Sequence, residues 1–150
     1  MFLRKFIFIL FIYCFFGKNA IGKEYILKWY NNVKILDSLE FVNKSKYQLT
    51  LAEGSWEDNY GNYGFLKCLG PIKIDPEGKA NLEVICKGSD HLENNFSIKL
   101  IRKSDYDVGV GETIYIYGTG RYKSLVDRKC KYAIKYIKEV TKGFYRHICK

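Results

Sequence analysis

The chain has 150 residues and carries 25 Lys and Arg against 16 Asp and Glu, a formal net charge of +9 at pH 7. This length suits one domain with one hydrophobic core. The basic residues are spread along the chain in runs no longer than a pair, so the sequence excludes a nucleic-acid-binding arm, and we predict no nucleic-acid partner.

The first 22 residues have the pattern of a secretory signal peptide. Arg4 and Lys5 precede an apolar run over residues 6–16, and Ala20-Ile21-Gly22 then supplies the small residues of a cleavage site. The run is too short to span a membrane as an anchor. We therefore predict a signal peptide over residues 1–22 and a single domain over residues 23–150, exported to a periplasm, a cell surface or the medium, with no stable membrane span after cleavage. The leader holds three of the 25 basic residues and no acidic one, so the mature charge is (25 − 3) − 16 = +6.

The segment that follows the leader is ambiguous, and the strands become clear after it. Residues 23–46 fit two strands or a short helix. Residues 47–57 and 63–69 alternate apolar and polar side chains, and Asp58-Asn59-Tyr60-Gly61-Asn62 supplies a turn between them.

The same alternation continues to the C-terminus. Asp75-Pro76-Glu77-Gly78 predicts a tight turn, and residues 87–93 and 104–111 predict longer loops. Three further segments read as half-buried strands: residues 81–87, 95–103 and 129–137. About eight strands in succession predict an all-β antiparallel domain, for which we favour an eight-stranded closed barrel over a β-sandwich.

Four of the five cysteines lie in the predicted domain, and their placement predicts two disulfides. Cys68 and Cys86 are nearly symmetric about the turn at Asp75–Gly78, and Cys130 and Cys149 are placed likewise about residues 139–140. Cross-strand neighbours meet the Cα separation of about 5.5 Å that a disulfide needs. We expect no metal site, because no close C-x-x-C pair is present and exported thiols oxidise.

Catalytic and cofactor motifs are absent from the sequence. His91 and His147 stand in no metal-binding or catalytic spacing, and we predict both at the surface. Gly109-Val110-Gly111 and Gly118-Thr119-Gly120 are read as turn glycines rather than phosphate loops, and no cofactor is predicted.

Two features point to a ligand. Arg102 falls on the side of its predicted strand that carries the inward-facing apolar residues. Its charge would then lie at the mouth of the core, with Asp105 and Asp107 near enough to pair with it. The chain is also rich in Tyr and Trp, which can line a cavity. The candidate ligand-binding residues are Trp56, Arg102, Tyr117 and Tyr132. The three aromatic side chains would form the walls of the cavity, and the Arg102 guanidinium would attract a carboxylate or phenolate of the ligand.

The segment Tyr115-Ile116-Tyr117-Gly118-Thr119-Gly120-Arg121-Tyr122-Lys123, leading into the strand with Cys130 and Tyr132, resembles a recurring element of allene oxide cyclase and dirigent-like barrel proteins. The resemblance covers about a fifth of the predicted domain and implies an eight-stranded barrel with a central cavity. No catalytic residue of either enzyme class can be matched in this sequence. A similar fold alone does not imply the same activity.

These observations favour an exported protein that binds a small apolar or aromatic ligand, or an envelope component, without catalysis. One alternative is a cyclase- or isomerase-like enzyme that holds its ligand in the barrel. Another is a surface protein that contacts anionic polymers through Lys129, Lys131 and Lys135. The oligomeric state is not encoded in any of these patterns.

Overall fold

The computed structural model describes residues 24–137 and 139–150. The predicted signal peptide, including Cys14, lies outside these residues.

Eight antiparallel strands close into a barrel in which each strand pairs with its neighbours in the chain, and β8 returns to β1. This confirms the predicted fold. The strands are β1 Tyr25–Glu40, β2 Lys46–Asp58, β3 Tyr63–Ile74, β4 Lys79–Asp90, β5 Asn95–Asp105, β6 Val108–Gly118, β7 Lys129–Ile137 and β8 Lys142–Cys149. A short 3₁₀ helix, Gly120–Leu125, lies between β6 and β7.

The ambiguous N-terminal segment forms one long strand. β1 pairs with β2 along most of its length and with β8 from Tyr25 to Asn32. Its distal part therefore extends beyond β8, with a bulge between Ile35 and Asp37 and an Asp37 carboxylate that accepts a hydrogen bond from the Ser38 backbone. Bulges and charges on an exposed strand edge discourage pairing with other chains.

The two longer loops predicted at residues 87–93 and 104–111 are wrong, because the glycines in both segments lie within strands. β4 runs on through Asp90, and β6 already begins at Val108, so both connections are short. Glycines suggested loops in each case. Gly88 instead faces the ring of Phe96, where an added Cβ would lie 2.4 Å from a ring carbon, and Gly111 faces the ring of Tyr132 in the same way. Glycine in a strand often marks such a close approach rather than a turn.

Side chains fill the barrel interior. Trp29, Trp56, Phe96, Tyr115 and Tyr122 are each at most 2% exposed. The cavity between the interior faces of Trp29, Cys68, Leu100 and Tyr132 has a volume of about 30 Å³, enough for about one water molecule. The central cavity that the family resemblance implied is thus occupied by the protein's own aromatic rings.

Both predicted disulfides are confirmed. Cys68 bonds to Cys86 across β3 and β4, and Cys130 bonds to Cys149 across β7 and β8, with Cα separations of 3.9 and 4.5 Å. All four cysteines are buried. Each bridge joins adjacent strands on their inner faces, as the alternation of the strands predicted.

Candidate functional site at one end of the barrel

Three connections meet at the end of the barrel where β1 begins: β2–β3, β4–β5 and β6–β7. The first two are built alike. Asp58 accepts hydrogen bonds from the backbone of Tyr60 and Asn62, each at 2.9 Å, and also from the Asn62 amide. Asp90 accepts the equivalent bonds from Leu92 and Asn94. An aspartate that bonds its own turn in this way fixes the loop without help from the core.

Arg121, on the 3₁₀ helix, links the two turns. Its Nη1 donates to Asn62 Oδ1, and its Nε lies 3.6 Å from Asp90 Oδ2. The Tyr122 hydroxyl donates to the same Asp90 oxygen at 3.1 Å. The Asp90 side chain is inaccessible to solvent. Burial alone would raise the pKa of Asp90, but the bonds from Asn94 and its neighbours outweigh it and lower that pKa. The three connections therefore form one rigid polar frame.

A pocket of about 340 Å³ lies within this frame. We call it the mouth pocket. It is lined by Tyr25, Asp58, Tyr60, Asn62, Arg121, Tyr122, Ser124, Leu125 and Arg128. The rings of Tyr25 and Tyr60 stack with centroids 6.2 Å apart and planes 14° from parallel, so the pocket has an aromatic wall as well as charged groups.

The Tyr25 hydroxyl is buried beside this pocket without a hydrogen bond. It lies near the Tyr115 hydroxyl and the Asp58 carboxylate, yet neither meets it with hydrogen-bonding geometry. Burial, and then the negative charge of Asp58, raise the pKa of Tyr25 far above its ordinary value. The hydroxyl is therefore neutral, and its polar neighbours are the Tyr115 hydroxyl and the Asp58 carboxylate.

Arg102 was predicted to face inward at the mouth of the core. It does face inward and is buried, but it lies at the end of the barrel opposite the mouth pocket. Its guanidinium donates to Ser104 Oγ and to the backbone carbonyls of Asp105 and Tyr106, at 2.7 to 3.1 Å. The expected pairing with the carboxylates of Asp105 and Asp107 is wrong, because the Asp105 carboxylate bonds to Lys79 on β4 instead.

Tyr106 closes that end of the barrel. Its hydroxyl donates to the buried Gln48 at 2.9 Å, which ties the β5–β6 connection to β2. The Arg102 guanidinium lies 5.9 Å from the centre of the Tyr136 ring. Burial raises the pKa of Tyr136 to about 12, although the positive charge of Arg102 lowers it. These contacts make Arg102 part of the closed end.

Of the other three predicted ligand-binding residues, Tyr132 lies near Arg102, whereas Trp56 and Tyr117 do not. Burial raises the pKa of Tyr132, and the positive charge of Arg102 opposes this rise. Trp56 is buried against Phe96 and Tyr122, below the mouth pocket, and Tyr132 is buried in the core against Tyr145. The Tyr117 side chain is 54% exposed on the outside of the barrel.

Tyr117 lies outside because of a bulge in β6. Tyr115 pairs with Ile98 and Tyr117 with Ser97, so Ile116 is an extra residue. Because side chains alternate between the two faces of a strand, one extra residue moves the later side chains to the opposite face. Sequence reasoning did not find the mouth-pocket residues Asp58, Asn62, Arg121 and Arg128, since connections carry no periodic signal.

His147 corrects a second prediction, because it is fully buried rather than at the surface. Burial lowers its pKa to about 3, so the ring is neutral. Its Nε2 lies 2.8 Å from Cys149 Sγ, and Cys130 is close by. This is the one cluster of three metal-ligand residue types among residues 24–137 and 139–150, and its sulfurs are already bonded to each other. Thiolates rather than disulfides bind metals.

Comparison of the chain with protein-family models, curated proteins and solved structures finds no match. Within the part of the chain that the structure describes, no helix is long and apolar enough to cross a membrane.

Proposed function

We propose that this protein binds a small aromatic or apolar ligand that carries an acidic group, without catalysis, in the mouth pocket. The observation that carries the proposal is the convergence of an aromatic wall and two guanidinium groups around a space of about 340 Å³. Pockets of this size with a few convergent polar groups are typical of small-molecule sites.

The ligand's features follow from the lining. An aromatic or apolar body packs against Tyr60 and Leu125, and a carboxylate or phenolate binds the guanidinium groups of Arg121 and Arg128. Arg121 is held by the Asp90 frame, whereas Arg128 has no ion-pair partner among residues 24–137 and 139–150. Arg128 is therefore the cation that a ligand acid can engage at least cost to the fold.

Isothermal titration calorimetry tests this proposal with defined probes. Indole-3-acetate and 4-hydroxybenzoate represent the ligand class, and their neutral amides lack the acid. We expect saturable binding of at least one acid and a loss of about tenfold or more for its amide, because one charge-assisted hydrogen bond is worth about 1.4 kcal/mol or more.

Matched variants locate the site. Arg128→Gln and Tyr60→Leu should each weaken binding of the acid by about tenfold. Lys123→Gln and Tyr63→Leu are the controls, since both residues are exposed at the same end of the barrel and neither lines the pocket. Equal losses in the control variants, or no binding of either acid, would contradict the proposal.

We also propose that the protein is exported, with cleavage after Gly22. The leader pattern supports this, and so do two disulfides, which persist in oxidising compartments. N-terminal sequencing of the natural protein should begin at Lys23. A protein that retains Met1 and holds its cysteines reduced would overturn this.

A further inference from the structure

The outer wall formed by β6, β7, β8 and β1 carries a groove that shares no lining residue with the mouth pocket. Two neighbouring cross-strand rows define it. One row runs Val110, Ala133, Arg146, Lys28, and the other runs Val108, Lys135, Phe144, Tyr30. The groove has a volume of about 440 Å³. Ala133 lines the groove and has the smallest side chain in either row.

The charged residues that line the groove are all positive: Lys28, Lys135 and Arg146. Lys28 and Arg146 lie directly opposite each other on β1 and β8. Like charges in this position destabilise a sheet. Glu57 pairs with Lys28 at 3.3 Å, but Arg146 and Lys135 have no acidic partner among residues 24–137 and 139–150. The unneutralised cations favour an anionic partner.

The floor between these cations is apolar and open to solvent. Phe144 is 50% exposed and Val110 is 64% exposed, and the exposed Tyr30 packs edge-on against Phe144. Exposed apolar groups clustered within a charged rim mark an interaction site more often than scattered ones do. A partner must therefore supply apolar groups as well as negative charge.

We infer that this outer groove docks an extended peptide segment of a partner protein that carries acidic and apolar side chains in turn at every second residue, and therefore on one face. A second copy of this chain would bring the same cations and repel. A flat anionic bilayer does not enter a depression on the wall, and an acidic polysaccharide offers little apolar surface to the floor. In an extended peptide the side chains of every second residue share one face and lie about 7 Å apart. This matches the two rows, because their members lie two residues apart on each strand.

Fluorescence anisotropy with labelled peptides of about 12 residues tests the inference. One peptide has Glu in turn with Leu or Phe at every second position and Ser between them, a second has Gln for Glu, and a third has Ser for Leu and Phe. We expect the first to bind, the other two to bind about tenfold more weakly, and the first to weaken as NaCl rises from about 50 to about 200 mM.

Variants of the protein supply the controls. Lys135→Gln and Phe144→Ser should each reduce binding of the first peptide by about tenfold. Lys87→Gln and Phe65→Ser should not, since they alter an exposed lysine and an equally exposed phenylalanine elsewhere on the outside. Equal losses in both pairs, absence of peptide binding, or tighter binding to oligogalacturonate or to phosphatidylserine-containing vesicles would overturn the inference.

Discussion

His147 lies among the rings of Tyr25, Tyr115 and Tyr145, with ring centroids 5.5 to 6.1 Å away. Its pKa is lowered to about 3 in the folded protein, whereas an unfolded histidine titrates near pH 6.5. Between these values the unfolded state binds one more proton than the folded state. This residue therefore costs stability as the pH falls from about 6.5 to about 3, by about 1.4 kcal/mol for each pH unit.

The first prediction concerns this pH dependence. His147→Gln should flatten the decline of the free energy of unfolding between about pH 6 and about pH 4 relative to the native protein. The measurement is urea denaturation at several pH values. His91→Gln is the control, because His91 is exposed and stacked on Tyr63. If both variants keep the native slope, His147 is not a buried neutral ring.

Arg102 supports the second prediction at this scale. Arg102→Met should lower the free energy of unfolding by about 3 kcal/mol, because the carbonyls of Asp105 and Tyr106 would lose their charged donor in a buried place. Arg102→Lys should lose less, since it keeps a donor but not the planar fork. The measurement is again urea denaturation. Arg128→Met should change stability by about 0.5 kcal/mol or less, and a similarly small effect of Arg102→Met would show that the closed end does not depend on it.

At the scale of elements, the two disulfides hold adjacent strands at opposite places on the barrel. Their sequence separations are 18 and 19 residues. On the chain-entropy model each bridge stabilises the fold by about 3 kcal/mol, because it restricts the unfolded chain.

The third prediction follows from these bridges. The double variants Cys68→Ala/Cys86→Ala and Cys130→Ala/Cys149→Ala should each lose about 3 kcal/mol. A thiol titration of the denatured, unreduced protein that begins at Lys23, and so lacks Cys14, should detect no reactive thiol. Four reactive thiols would mean that the pairs are not bonded in the natural protein.

The sequence was most informative where a strand alternates without interruption. β7 was predicted at its observed bounds, and the turn at Asp75–Gly78 placed the strands that carry Cys68 and Cys86. Tyr117 was predicted to face inward. This was wrong, because the extra residue in β6 cannot be recognised from the alternation of apolar and polar side chains. His147 could have been placed correctly, since it lies two residues before Cys149 and therefore shares a strand face with this predicted disulfide cysteine.

The candidate site was harder to predict than the fold. Asn62 and Arg121 are 59 residues apart and meet only because the barrel brings the ends of β2, β4 and β6 together. No pattern within either connection reports that meeting. The repeat of Asp at the first position and Asn at the fifth in both Asp58–Asn62 and Asp90–Asn94 was the available signal, and it specifies two similar turns without specifying what binds beside them.

At the scale of the whole molecule, a filled barrel has little room for a ligand inside it. The interior cavity of about 30 Å³ holds about one water, whereas the mouth pocket has about 340 Å³. The proposed ligand binding therefore fits the end of the barrel, where the connections supply the charges and Tyr25 and Tyr60 supply the rings. The opposite end is closed by Tyr106 and Gln48.

The most direct test of this account is a titration of the ¹⁵N-labelled protein with indole-3-acetate, followed by amide chemical shifts. We predict saturable shifts confined to the connections that form the mouth pocket, residues 58–62 and 120–128, with the amides around Arg102 and Tyr106 unchanged. Shifts centred on the Arg102 end, shifts spread through the core residues of all eight strands, or no saturable shift at all would contradict it.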